Sequence, residues 1–217
     1  MEERDAPDLF RGKNERLPEH SSSLDMTVRS LMEVSMKGTG EPLLMVYTGN
    51  GKGKTSAAMG QMMRALGHGG KCAVAQFIKG DPEKLDLGEW RCATQTLGVT
   101  WRNFGVGFTW AQDSLEPTAA ECRKGWEQVK RWISTGVFDM IILDEFTYAL
   151  SMGLVDPDEV LMWIADHKGK SGFPHLVITG RNAPERLVKL ADMVSEVVEV
   201  KHHMTVQGKK AAPMVEF

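Results

Sequence analysis

The sequence predicts a single α/β domain with a mostly parallel sheet and helices on both of its faces. Three observations lead there. Six runs of strand length are apolar throughout rather than alternating, as in strands covered on both sides. Helical patterns separate most of these runs. The chain has 217 residues, 42% of them hydrophobic, which suits one domain with a sizeable core and some tail.

Residues 1–41 are polar and rich in turn formers (Pro7, Gly12, Pro18, Ser21-Ser22-Ser23, Gly38, Gly40) and read as a mobile arm. Leu24, Val28, Leu31 and Met32 recur at roughly helical spacing inside it, which makes a short lid helix one expectation and a frayed segment the other. The domain proper is expected over 42–217. Its first strand is Leu43–Tyr47, ending in a Gly-rich turn. A helix follows over 55–67, with Met59, Met62, Met63 and Leu66 on its apolar face and Gly67 or Gly69 stopping it. Strands are expected at Cys72–Ile78 and Val99–Phe104. A helix then runs over 117–135, with Cys122, Trp126, Val129 and Ile133 on one side. Met140–Leu143 is the next strand. Asp156 caps a helix that has Pro157 at its first position and reaches about His167. His175–Thr179 is a strand, 184–191 a short helix, and Val194–Val200 the last strand.

The totals exclude several classes. The net charge is −3 and no long single-sign run occurs, so neither nucleic acid nor a membrane surface is an expected partner. No apolar stretch approaches the roughly 20 residues of a membrane span. The charged Met1-Glu2-Glu3-Arg4-Asp5 leads into no apolar run, which argues against a signal peptide. Cys72, Cys92 and Cys122 are odd in number and widely spaced, without a C-x-x-C, so the expectation is free thiols in a reducing compartment, the cytoplasm. His202-His203 carries little metal signal, since neighbours on a strand point to opposite faces.

The segment with the most chemistry is Thr48-Gly49-Asn50-Gly51-Lys52-Gly53-Lys54-Thr55-Ser56. It follows an apolar strand, opens a helix and ends in Gly-Lys-Thr, the context of a G-x-x-x-x-G-K-[ST] phosphate loop with Thr48 at the first position. Glycines let the backbone close on an anion, and the helix start aims its unpaired amides at the same oxygens. Lys54 adds a mobile positive charge, and the Thr55 hydroxyl suits Mg²⁺. The run Met140–Leu143 closes on Asp144-Glu145. With a phosphate loop upstream, Asp144 is the expected partner of the Mg²⁺ shell, and Glu145 either a base or a nucleotide contact. Thr179-Gly180-Arg181 ends another strand, and Arg181 either meets phosphate or a substrate acid or is solvated. In Gly105-Val106-Gly107-Phe108-Thr109-Trp110, the loop either presents its rings or tucks them into the core; local chemistry favours the core.

These segments together resemble the P-loop class of ATP:corrinoid adenosyltransferases. The likeness runs over about residues 43–217 and also takes in Arg64–Gly69, Gln76–Gly80, Gly107–Trp110, Leu143–Tyr148, Ile178–Arg181, Leu190–Asp192 and Val200–His202. The resemblance implies a single P-loop NTPase (RecA-like) domain. It also implies transfer of the 5′-deoxyadenosyl group of MgATP to Co(I) of a reduced corrinoid, with triphosphate leaving. By the same token the loop from Thr48 to Ser56 would cradle the triphosphate, and Thr55 with Asp144 would hold Mg²⁺. Glu145, Arg64 and Arg181 would stand near the nucleotide. Phe108 and Trp110 match aromatics that help remove the corrinoid's lower ligand. An electron donor such as a flavoprotein and a homodimer are implied too. Met214 stands where a small residue, usually Gly, is expected. A generic P-loop ATPase or small-molecule kinase is the alternative, which has no need of the Phe108/Trp110 loop; a non-catalytic nucleotide-dependent module is a third, against which Asp144-Glu145 argues.

Overall fold

A computed structural model of the chain describes residues 40–107, 114–212 and 214–215. The expected arm over 1–41 therefore lies almost wholly outside the described residues, as do Phe108 and Trp110. Six strands form one sheet: β1 (Leu44–Thr48), β2 (Cys72–Gln76), β3 (Thr100–Asn103), β4 (Met140–Asp144), β5 (His175–Thr179) and β6 (Met193–Glu196). Their order is β3-β2-β4-β5-β1-β6, and every pairing is parallel. The helices are α1 (Lys54–Gly67), α2 (Gly88–Arg91, running into a π turn at Cys92–Thr96), α3 (Glu116–Thr135), α4 (Phe146–Ser151), α5 (Pro157–His167), α6 (Glu185–Leu190) and α7 (His203–Gln207).

The uniformly apolar strands have a direct explanation. Side chains alternate across a strand, and both faces are covered. Leu44, Val46, Ile141, Leu143, Leu176 and Ile178 join one core with Trp126, Val129 and Phe146. Met45, Tyr47, Met140, Ile142 and Val177 join the other, with Met59 and Met62 of α1. Buried residues of α3 follow the expected side: Cys122, Trp126, Val129 and Ile133. Trp126 stacks on Phe146 with centroids 5.7 Å apart, and Phe77 lies 4.5 Å from Phe146. That aromatic cluster sits below the carboxyl ends of β2 and β4, the edge where ligands bind in parallel sheets.

Four elements depart from the sequence reading. The last strand stops at Glu196 rather than at Val200: Val197 N still donates to Thr48 O at the end of β1 (2.8 Å), but Val197 O accepts from Gly51 N in the turn after β1 (2.7 Å). Short helices α2, α4 and α7 fill stretches too brief for a helical period to show. His202 is thus a helix cap, its Nδ1 accepting from Met204 N at 3.2 Å, and not a strand residue. The His202 and His203 rings stack at 4.8 Å rather than facing apart.

Candidate active site

Four neighbouring strand ends, β2, β4, β5 and β1, deliver the functional side chains to one edge, beside a cavity of about 660 Å³. Gly51, Lys52, Gly53, Lys54, Thr55 and Ser56 line it, together with Glu145 and Arg181.

The loop after β1 is built differently from its expected use. A Cβ at Gly49 would lie 2.5 Å from Val197 O, and one at Gly51 would lie 2.7 Å from Val198 C. The Gly51 amide is already bonded to Val197 O at 2.7 Å. These two glycines admit the chain leaving β6, and the Gly51 amide is engaged there rather than turned to the cavity. The amides that open α1 are the ones a helix leaves without internal partners. Thr48 also has a structural task, its Oγ1 accepting from Ala183 N at 3.2 Å, which ties the turn to the loop after β5. Asn50 is exposed and is not on the cavity wall. The Lys54 ammonium folds into its own loop, 2.8 Å from Gly49 O and 2.6 Å from Gly51 O. Burial pushes its pKa down, and Arg181 pushes it the same way. An incoming polyanion would draw this ammonium off two carbonyls.

Asp144 is the hub. Its side chain is wholly buried, and Oδ1 accepts from Thr55 Oγ1 at 2.8 Å and from Thr179 Oγ1 at 2.7 Å. Gln76 Nε2 donates to Oδ2 at 3.3 Å, while Gln76 Oε1 is buried without a hydrogen-bond partner among the described residues. Glu145 follows in a left-handed conformation (φ 61°), its amide donating to Thr179 Oγ1 at 2.9 Å. Thr179 thus holds both acids at once. Burial, reinforced by Asp144 and opposed by Lys79, pushes the Glu145 carboxyl up to about 7. Lys79 stands 3.6 Å from Glu145 and 4.0 Å from Asp144. Burial alone would lower its pKa, but the two acids outweigh it and hold the ammonium above its usual range. Tyr148, also on the cavity wall, is pushed up by burial.

Thr55 and Asp144 present hard oxygens to one point, and the donor set fits Mg²⁺, which takes one or two protein oxygens and completes its shell with phosphate and water. Among the described residues no group of three or more His, Cys, Asp or Glu side chains could hold a metal.

Arg64 is not brought to the cavity. It lies in the last turn of α1, exposed, donating to Gln61 Oε1 at 3.0 Å. At 1.5 Å per residue, the ten residues from Lys54 put it about 15 Å along the helix. Arg181 does reach the wall, and its carbonyl accepts from Thr147 Oγ1 at 2.6 Å. Lys79, Thr179, Gln76 and Tyr148 were not among the expected site residues. A strand end on the same sheet edge as the phosphate loop was the available signal, and both Gln76–Gly80 and Ile178–Arg181 carry it. Met214, where a small residue was expected, has φ 66°, a conformation that glycine adopts without strain.

Residues 40–217 match the family model described as ATP:corrinoid adenosyltransferase BtuR/CobO/CobP. The corrinoid adenosyltransferase of Escherichia coli (strain K12) is 39% identical over 163 residues, 74% of this chain and 78% of that one. The corrinoid adenosyltransferase CobA of Salmonella typhimurium (strain LT2) is 38% identical over 175 residues, 81% and 85% of the two chains. The corrinoid adenosyltransferase of Pseudomonas aeruginosa (strain PAO1) is 36% identical over 175 residues, 81% and 83%. Among solved structures, domain III of the Thermotoga maritima replication initiation protein DnaA gives a TM-score of 0.35 at 12% identity, over 80% of this chain and 61% of that one, a likeness too slight to bear on function. Phosphate loop, acid pair and family model agree: this chain belongs to the ATP:corrinoid adenosyltransferase family.

Proposed function

We propose that the protein transfers the 5′-deoxyadenosyl group of MgATP to Co(I) of a reduced corrinoid. The carrying observation is the Thr55–Asp144 hydrogen bond of 2.8 Å, which joins the phosphate loop to the acid pair at the wall of one cavity. The electron pair of Co(I) forms the Co–C5′ bond and the cobalt ends as Co(III). The C5′–O bond breaks, and its electron pair leaves with the triphosphate. Bound Mg²⁺ would offset charge on that leaving group, held by Thr55 and Asp144. The chain's own part is alignment and electrostatics, with Lys54 and the first amides of α1 meeting the polyanion and Arg181 adding charge at the rim. No side-chain nucleophile is required. Glu145 orients the nucleotide, and Phe108 and Trp110 exclude a donor from the corrinoid's lower face.

Co(I) has to be regenerated by an electron donor, for which a flavoprotein is expected. A homodimer in the cytoplasm completes the reading. The cytoplasm is supported by three cysteines, none of them paired, with Cys72 and Cys122 buried. Among the described residues no helix is long and apolar enough to cross a membrane. The decisive experiment is anaerobic incubation with MgATP and chemically reduced corrinoid. The absorption change of a forming Co–C bond is expected, with triphosphate released in equal amount. ADP and phosphate without that change would defeat the reading, and light scattering checks the dimer.

A further inference from the structure

Lys79 belongs neither to the phosphate loop nor to the acid pair, yet it stands where they meet. Asp144 draws hydrogen bonds from Thr55, Thr179 and Gln76, all of them neutral. Among the ion pairs of the described residues, Lys79 is the cation that serves both acids, at 4.0 Å from Asp144 Oδ2 and 3.6 Å from Glu145 Oε1. A buried carboxylate needs such compensation.

The backbone is shaped to place it. Ile78 has φ 66°, and Lys79 N donates to Phe77 O at 2.7 Å, a γ-turn of the rare positive-φ kind on a β-branched residue. Such a conformation persists only where its surroundings over-determine it. Here they do. A Cβ on Gly105 would fall 1.8 Å from Lys79 O, so only glycine fits beneath the turn. Asn103 Nδ2 donates to Gly80 O at 2.7 Å, and Gly107 N donates to Ile78 O at 3.2 Å. Below, Phe77 packs on Phe146, the residue after Glu145, so the turns presenting the ammonium and the carboxylate share one floor.

We propose that Lys79 is a positioning residue, an internal counter-cation that holds Asp144 and Glu145 in the nucleotide-free protein and that a divalent cation must displace to reach them. This rests on the reading of the cavity as the MgATP site. Lys79 lines the cavity wall, so an arriving triphosphate would lie within the same cavity as the displaced ammonium. Metal alone then binds weakly, and metal with nucleotide binds well. The acids stay apart from stray cations and keep their geometry until the substrate brings its own.

The test is a titration of the full-length protein with Mn²⁺ alone, followed by electron paramagnetic resonance. Removing a charge that competes for the same carboxylates is expected to tighten Mn²⁺ binding about tenfold in Lys79→Met. Lys79→Gln should behave likewise, and Lys79→Arg, which keeps the cation, should match the wild type. Adding ATP should improve Mn²⁺ binding less in the neutral variants than in the wild type. Unchanged or weaker Mn²⁺ binding in the neutral variants would overturn the proposal. So would failure of both to fold, since a displaceable counter-ion is not indispensable to folding. The titration needs neither corrinoid nor turnover. Absent Co–C bond formation in the wild type therefore counts against adenosyl transfer, whereas normal transfer with unaltered Mn²⁺ binding counts only against this role for Lys79.

Discussion

At the scale of single residues, Thr179 and Lys54 illustrate how little of a site is visible in a motif. Thr179 donates to Asp144 and accepts from the Glu145 amide, so one buried hydroxyl holds the carboxylate of one acid and the backbone of the next. Thr179→Val keeps the shape and removes both bonds. A loss of about 1–3 kcal/mol is expected from the bond lost to the carboxylate and the amide left unpaired, read by urea denaturation, together with weaker Mg²⁺-dependent nucleotide binding. Lys54 has a simpler task. It is a mobile charge now occupied by two carbonyls of its own loop. Lys54→Ala should abolish ATP binding in calorimetric titration, and unchanged affinity would contradict its role. Stability should change little, since those contacts join residues three and five apart within one turn.

At the scale of elements, the site depends on turns more than on the strands that carry them. The strands supply direction and the aromatic floor. The turn over 77–79 and the start of α4 supply orientation, and both use left-handed residues, Ile78 and Glu145. Gly105 lies outside the cavity lining but touches the first of these turns through its missing side chain. Gly105→Ala is expected to destabilise by about 1–3 kcal/mol through overpacking, measured by chemical denaturation. It should also impair nucleotide binding, because relief of the clash must move Lys79. A surface alanine elsewhere would do neither. The short β6 follows the same logic: its chain departs the sheet at Val197 to close the turn after β1, which requires glycine at 49 and 51.

At the scale of the whole molecule, stability is tied to the protonation of the site. Glu145 is pushed up to about 7 from an ordinary 4.5, by burial first, with Asp144 adding to the effect and Lys79 and Lys54 opposing it. Tyr148 packs close enough to feel the same charge. The folded protein keeps this proton over a range in which the unfolded chain has released it. Folding is therefore favoured in full below about pH 4.5, and the advantage is lost as pH rises to about 7, after which it changes no further. Glu145→Gln removes the titration. In chelator and without nucleotide, its melting temperature should gain on the wild type between pH 5 and 7 and run parallel above. Parallel curves throughout would show the carboxyl to be ordinary.

The sequence by itself determined the class of fold and the existence of the phosphate loop. Both are local: a strand buried on two faces must be apolar at every position, and a Gly-Lys-Thr between strand and helix has few other uses. It also pointed to Asp144 and Glu145, because a strand end is readable from the run that precedes it. Only the tertiary structure decided that Arg64 faces solvent at the far end of α1, that Gly49 and Gly51 serve the chain from β6, and that Lys79 and Thr179 govern the acids. The physical reason is sequence distance. Thr179 meets Asp144 across 35 residues, and Gln76 meets it across 68. The order β2-β4-β5-β1, in which β1 lies apart from β2 and beside β5, is set by how the helices pack on the two faces, and no local pattern encodes it.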